Sequence, residues 1–185
     1  MKKGRLFVIS GASGVGKSTV LKRVMDERKD LTFSVSATTR APRPGEVDGE
    51  SYYFVTKEQF EAMIARGEFL EYDAHMANYY GTPAAQAEEK MKKGSVILDI
   101  EPNGAFNVRK AMPDAVLIFI APPSLEELQN RLAGRGDTSP EQMKLRLERS
   151  AWEMEQSKNY DYIVINDQVE ACAAEILKII AEKAD

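Results

Sequence analysis

Apolar residues recur along this chain in two alternating rhythms. Leu6-Phe7-Val8-Ile9, Val96-Ile97-Leu98, Ala115 to Ile120 and Tyr162-Ile163-Val164-Ile165 are apolar throughout and rich in Val, Ile and Phe. Short uninterrupted runs of this kind predict strands buried on both faces of a parallel sheet. Between and after them the pattern becomes helical. Thr56 to Gln59, Ser124 to Glu127 and Ser139 to Gln142 each match a capping box, with Pro140 at the first helical position of the third. Gly67 and Gly94 suit the ends of two helices. Strands separated by helices at this spacing predict an α/β fold with a mostly parallel twisted sheet.

Two stretches break the alternation. Ser36 to Lys92 is rich in turn residues (Ala41-Pro42-Arg43-Pro44-Gly45, Asp48-Gly49) and holds aromatic strand-like pieces such as Ser51 to Val55, so it reads as an inserted, partly antiparallel subdomain. Leu125 to Lys158 is almost wholly helical, broken at Gly134-Arg135-Gly136-Asp137. Neither repeats nor low-complexity tracts are found.

Size and charge narrow the function. The chain has 185 residues, which fits one domain of ordinary size with a core that needs no staples. Twenty-five basic against 29 acidic residues leave a net charge of −4, so no global positive field exists to hold a nucleic-acid polymer. Phosphate recognition has to be local. A single cysteine, Cys172, excludes an internal disulfide framework, is compatible with a reducing compartment, and is expected as a buried thiol in an amphipathic C-terminal helix. No run approaches the roughly 18 apolar residues of a membrane span. A cytoplasmic protein without a membrane partner is expected.

The strongest local signal is Gly11-Ala12-Ser13-Gly14-Val15-Gly16-Lys17-Ser18, lying between a predicted buried strand and a helix from Lys17 to about Arg28. It is the pattern GxxxxGK followed by Ser or Thr. Its glycines let successive backbone N–H groups turn inward around phosphate oxygens, Lys17 supplies a point charge at the β and γ positions, and Ser18 can place its hydroxyl on Mg²⁺. The helix adds its positive end, so Ser13, Gly14, Val15, Gly16, Lys17, Ser18 and Thr19 form a candidate triphosphate site. The Asn-Lys-x-Asp string of GTP-hydrolysing switches and the Leu-Ser-Gly-Gly signature of transport ATPases are both missing. A phosphotransferase remains.

A second anion site is predicted in Thr38-Thr39-Arg40-Ala41-Pro42-Arg43-Pro44, where prolines stiffen a loop carrying two guanidinium forks. The alternative is a solvated basic loop. The insert around it holds six Lys/Arg against ten Asp/Glu, which favours a small nucleotide over a polymer. Tyr52 and Tyr80 either donate phenol hydrogen bonds to that phosphate or are buried core aromatics. Glu71 can accept two hydrogen bonds side by side, and guanine alone among the common bases presents adjacent N1–H and N2–H₂ donors for it. Thr82, after Gly81 and before Pro83, can donate to guanine O6 and also fits as the N-cap of the helix that Pro83 opens, two roles that one backbone turn can combine; taken alone it suits the cap better. Asp99 and Glu101 close a buried strand, where acids face the ligand crevice in this architecture; exposed strand-end charges are the alternative. Arg131 and Arg135 are four apart on one helical face and Arg146 and Arg149 three apart on the next. Ion pairs with Glu127 and Glu148 compete with a catalytic reading of these arginines.

These motifs, in this order, resemble the guanylate kinases over essentially the whole chain. The resemblance rests on the phosphate loop, Ser36 to Glu46, Gly49 to Phe54, Glu68-Phe69-Leu70-Glu71, Asn78-Tyr79-Tyr80-Gly81 and Leu98-Asp99-Ile100-Glu101. It implies the P-loop nucleoside monophosphate kinase fold, a central parallel sheet flanked by helices with an inserted GMP-binding subdomain and a helical lid. The implied partition is a core of 1–35, 93–124 and 159–185, a GMP-binding insert of 36–92 and a lid of 125–158. It further implies transfer of the γ-phosphate of ATP to GMP with Mg²⁺. Ser36, Arg40, Arg43, Tyr52 and Tyr80 would bind GMP mainly at its phosphate. Glu71, Thr82 and Asp99 or Glu101 would read guanine beside Gly81. Lys17 and Arg40, with the lid residues Arg135 and Arg146, would act on the transferring group, and Asn166 would lie near the adenine. No obligate protein partner is evident. The chain departs from the family's usual pattern at Ala12, often Pro, and at Asn103, where many members have Gln. A scaffold-type binding module would keep this fold with a degraded phosphate loop, and a sugar-phosphate kinase would not need a guanine reader.

Overall fold

The computed structural model describes residues 4–75, 77–133 and 140–184. In chain order the described elements are β1 (Leu6–Gly11), α1 (Lys17–Glu27), β2 (Thr32–Phe33), β3 (Ala37–Thr38), β4 (Tyr53–Phe54), α2 (Lys57–Ala65), β5 (Phe69–His75), β6 (Asn78–Pro83), α3 (Ala84–Met91), β7 (Val96–Asp99), α4 (Pro102–Ala111), β8 (Val116–Ala121), α5 (Leu125–Ala133), α6 (Pro140–Gln156), β9 (Tyr162–Ile165) and α7 (Val169–Lys183). They fall into two compact units. One takes the residues up to Leu6 and Asp30–Ala115, the other Phe7–Lys29 and the residues from Val116 onward.

In the first unit, four strands form a sheet in the order β4-β3-β6-β5. β3 runs parallel to β4 and antiparallel to β6, and β6 pairs antiparallel with β5. An aromatic stack fills the space against it: fully buried Phe60 of α2 lies 4.4 Å from Phe69 and 5.2 Å from Tyr79 between ring centroids. The helix that delivers Phe60 is fixed as its sequence predicts, with a reciprocal Thr56–Gln59 capping box at the start and Gly67, at φ 68°, past the end. The strand expected over Ser51 to Val55 is reduced to Tyr53-Phe54, because the Ser51 N–H turns back to the Val47 carbonyl at 2.9 Å. In the same unit β2 and β7 pair in parallel, Thr32 beside Val96 and Phe33 beside Ile97. α3 packs on β5, β6 and β7, and α4 packs on β5. Gly94 lies beyond the end of α3 and donates its N–H to the Lys90 carbonyl at 3.2 Å, closing the following turn.

In the second unit β1, β8 and β9 are parallel neighbours in that order, with Phe7 beside Val116 and Ile118 beside Tyr162. β1 and β8 are buried along their whole length, as unbroken apolar runs predict. β9 differs from that expectation: Ile163 and Ile165 are 47% and 48% exposed. These two side chains share one face of the last strand of the sheet, and that face is left half-open. α1 packs along α7, where Cys172 is buried and burial pushes its thiol up to about 11. Among the described residues no helix is long and apolar enough to cross a membrane.

Phe60→Ala should cost about 3–5 kcal/mol, because the stack cannot close over the space left by the ring. Urea unfolding monitored by tyrosine fluorescence checks this; a loss below about 1 kcal/mol would show that the stack does not organise the first unit.

Candidate functional site

β1 ends at Gly11 and α1 begins at Lys17, and the five residues between them form a loop of the second unit. The Val15 N–H returns to the Ala12 carbonyl at 3.0 Å, so the backbone turns tightly. Gly14 and Gly16 have φ of 83° and 92°, a left-handed conformation that side chains disfavour. A side chain at Gly14 would also have to displace Leu132, since a Cβ there would lie 2.5 Å from Leu132 Cδ2. α1 has no side-chain cap at Gly16 and no acid in its first turn, which leaves the positive helix end to an anion. Lys17 opens α1 half-buried, and Ser18 and Thr19 follow exposed.

This loop is held from behind by residues distant in sequence. Asn166, buried just after β9, donates Nδ2–H to the Val15 carbonyl at 2.8 Å. The Arg131 guanidinium fixes the Asn166 carbonyl at 2.9 Å while pairing with Glu127 at 3.0 Å. From α6, Glu153 Oε2 accepts the Ser13 N–H at 2.7 Å, and Ser150 Oγ lies 3.2 Å from the Ser13 carbonyl. Sequence reasoning misses Glu153 and Ser150, because no local pattern marks them: 140 and 137 residues separate them from Ser13.

In the first unit, Arg40 is pinned rather than free. Its guanidinium makes a fork on Glu46, at 2.8 and 3.0 Å, and a third bond of 2.7 Å to the Ala41 carbonyl. Glu46 also accepts the Arg43 N–H at 2.7 Å, so one carboxylate folds the proline-bounded turn around Arg40. The bond from Arg40 holds the Glu46 carboxyl below its usual range, and Glu46 in turn raises the guanidinium pKa. The guanidinium stands 5.4 Å from the Tyr52 ring centre, and the Tyr52 and Tyr80 rings meet edge to face at 6.1 Å. Arg40, Tyr52 and Tyr80 are therefore brought together. Arg43 is exposed beside them, and Ser36 is half-buried just before β3.

Glu71 is the buried acid of this unit. Its Oε1 accepts the Thr82 hydroxyl at 2.6 Å across the β5–β6 pair, both residues being buried. Thr82 is thus not the helix cap that its place before Pro83 suggests: Pro83 itself occupies the N-cap position of α3 and makes no side-chain cap bond, while the Thr82 hydroxyl is committed to Glu71. Gly104 of α4 lies so close that a Cβ there would be 2.6 Å from Glu71 Oε2. Burial pushes the Glu71 carboxyl up to about 7, the bond from Thr82 works against that rise, and neighbouring Asp73 adds to it. Gly81 is buried in β6 beneath the Phe69 and Phe60 rings.

Asp99 ends β7 exposed, and Glu101 stands at the N-cap of α4, half-buried. Asn103 Nδ2 donates to Asp73 Oδ2 at 3.1 Å, so its shorter arm serves a contact within the unit. Arg149 pairs with Glu153 at 2.9 Å, and Glu148 faces Lys144 at 3.9 Å. Arg146 is half-buried in α6, and Arg135 lies outside the described residues. Among the described residues no group of three or more His, Cys, Asp or Glu is placed to hold a metal ion.

Comparison with known proteins converges on one family. The sequence pattern described as guanylate kinase matches residues 3–183. The chain belongs to the guanylate kinase family. It is 50% identical over 179 residues to a guanylate kinase of Thermus thermophilus, covering 96% of this chain and 81% of that one. It is 47% identical to one of Clostridioides difficile, covering 99% and 90%. The crystal structure of guanylate kinase from Anaplasma phagocytophilum covers 100% of this chain and 88% of its own, at 33% identity and a TM-score of 0.81. The α/β fold, with a parallel sheet flanked by helices, is that of the family.

In this guanylate kinase family member the Glu71 proton links the site to stability. The group's pKa is about 7 folded against 4.5 unfolded, so between those values the folded chain binds the extra proton. Its contribution is full below the lower value and is lost as pH rises through the upper one. Glu71→Gln should therefore remove part of the fall in unfolding free energy between pH 5 and pH 8, leaving the variant more stable than the parent at pH 8 by up to about 3 kcal/mol. Parallel pH curves for the two proteins in urea would contradict this.

Proposed function

We propose that this guanylate kinase family member transfers the γ-phosphate of ATP to GMP through two preformed anion sites. The loop from Gly11 to Ser18 takes ATP and the Arg40–Tyr52–Tyr80 cluster takes the GMP phosphate. The single observation that carries the choice of GMP is the buried Glu71, aligned by Thr82. A ligand presenting adjacent donors offsets the desolvation of such a carboxylate, and N1–H and N2–H₂ of guanine do so.

In this reading residues 36–92 act as the GMP-binding insert, 125–158 as a lid and the remainder as the core. Ser36, Arg40, Arg43, Tyr52 and Tyr80 bind the acceptor phosphate, with Glu46 keeping the Arg40 fork in one geometry. Glu71, Thr82 and Gly81 line the guanine, with Asp99 and Glu101 at its edge. Ser13 to Thr19 surround the triphosphate, and Asn166 flanks the adenine while steadying the loop through Val15.

The nucleophile is an oxygen of the GMP phosphate, already anionic, so no general base is needed. It forms a bond to the γ-phosphorus as the bond to the ADP oxygen breaks. What the chain must do is hold two polyanions in line and offset charge on the transferring group. Lys17 and Arg40 do this from the two sites, joined by Arg135 and Arg146 of the lid. The exposed Ser18 hydroxyl, one residue after Lys17, fits a hard oxygen-seeking cation that keeps phosphate and water among its ligands. Ser18 would hold Mg²⁺, which supplies charge neutralisation across the phosphates. The chain works on free nucleotides in the cytoplasm, without a nucleic-acid polymer or a membrane.

A coupled assay of ADP formation tests this reading against GMP, AMP and ribose phosphates; ADP formed equally with AMP, or none with GMP, would overturn it. Glu71→Ala should raise the KM for GMP at least tenfold, on the order of the loss of two charge-assisted hydrogen bonds, with the KM for ATP little changed. Equal effects on both substrates would remove the guanine-reading role. Lys17→Ala should act mainly on kcat, and an unchanged kcat would dismiss its place in transfer.

A further inference from the structure

The geometry points to Glu153 and Ser150 of α6 as positioning residues for ATP: we infer that they hold both peptide groups flanking Ser13 and so aim the amides of the phosphate loop. The inference rests on the proposal that this loop takes the triphosphate. Glu153 is 1% exposed and Ser150 is fully buried, although both are polar. Glu153 Oε2 accepts the Ser13 N–H at 2.7 Å while Oε1 takes Arg149 Nε–H at 2.9 Å. The Ser150 hydroxyl is a forked donor, 2.8 Å from the Arg146 carbonyl in its own helix and 3.2 Å from the Ser13 carbonyl.

A trans peptide is planar, with its C=O and N–H on opposite sides, so holding one end directs the other. Ser150 on the Ser13 carbonyl turns the N–H of Gly14 away from α6. Glu153 on the Ser13 N–H turns the Ala12 carbonyl away from α6, and that carbonyl receives the Val15 N–H at 3.0 Å, the bond that closes the loop's turn. Asn166 does the same one step later, since its hold on the Val15 carbonyl directs the N–H of Gly16. The carbonyls are engaged from behind, and the amides of Gly14 and Gly16 are set before any nucleotide arrives.

The placement of an acid here needs a reason, because a carboxylate near a site for a polyanion opposes binding by simple Coulomb repulsion. Arg149 offsets that repulsion, and the bond to the Ser13 N–H gives the acid its task. Hydrogen bonds to a carboxylate are about twice as strong as neutral ones, which suits a contact that must fix a peptide plane. Arg146 and Arg149 share α6 with the two clasp residues, so a displacement of this helix pulls on the loop.

The test compares Glu153→Ala, Glu153→Gln, Ser150→Ala and Lys17→Ala in full-length protein. It reads the KM for ATP, the KM for GMP, kcat, thermal midpoint and binding of a fluorescent ATP analogue. Glu153→Ala should raise the KM for ATP and weaken the analogue roughly tenfold, while the KM for GMP moves by less than about twofold. Glu153→Gln keeps an acceptor for the Ser13 N–H and should recover most of the loss; Ser150→Ala should show a smaller change of the same kind. An unchanged KM for ATP in Glu153→Ala, or both KM values rising together with a fallen midpoint, would overturn the inference. Should Glu153→Ala not fold, unaltered ATP binding in Ser150→Ala overturns it just as well. Lys17→Ala separates the two levels: normal ATP turnover there removes the loop from ATP binding, whereas a damaged Lys17→Ala beside a normal Glu153→Ala sinks the clasp alone.

Discussion

A backbone can cradle a polyanion only if neighbouring peptide N–H groups face the same side, and a chain of L-residues resists that arrangement. Gly14 and Gly16 make it accessible by taking left-handed conformations. The rest of the second unit is arranged around that requirement. Buried β1 brings the chain in, uncapped α1 takes it out with its positive end at the loop, and Leu132 and Asn166 close against the two glycines. A side chain at Gly14 would have to displace Leu132, so the loop and the packing of α5 are one constraint rather than two.

The first unit solves the complementary problem of keeping charged side chains in one geometry without a ligand. Arg40 is a long side chain with many rotamers, and Glu46 restricts it with a two-pronged pair and a bond to the adjacent backbone. Glu71 is restricted by Thr82 on one oxygen and crowded by Gly104 near the other. Ordering these groups during folding, rather than during binding, lowers the entropy that a ligand must overcome. The cost is desolvation, visible in the raised Glu71 pKa.

Much of this architecture was legible in the chain. The continuous apolar runs became β1, β7, β8 and β9, and the Thr56 box and Gly67 bound α2 because each signal acts within a few residues. The expectation weakened where an element's surroundings decided the outcome. β9 has the same composition as its neighbours but is half-open, since burial depends on what covers a strand. Thr82 carries a good capping signal, yet a buried carboxylate across the sheet outcompetes the helix end for its hydroxyl. Arg149 pairs with Glu153, an acid four residues on that the sequence reading did not single out, at the spacing that shares a helix face.

By itself the sequence determined the features that a short stretch of backbone can encode: the glycine spacing of the phosphate loop, the stiffened turn bearing Arg40 and Arg43, the capped helices, and the order of motifs that marks the family. Only the tertiary structure decided how polar groups distant in the chain are partnered. Glu153 meets Ser13 across 140 residues, Asn166 meets Val15 across 151, and Glu71 is buried by α4 as well as by its own sheet. The physical reason is that backbone conformation responds to near neighbours in the chain. The identity of a hydrogen-bond partner, and the dielectric around a charge, depend on whichever surfaces packing brings together.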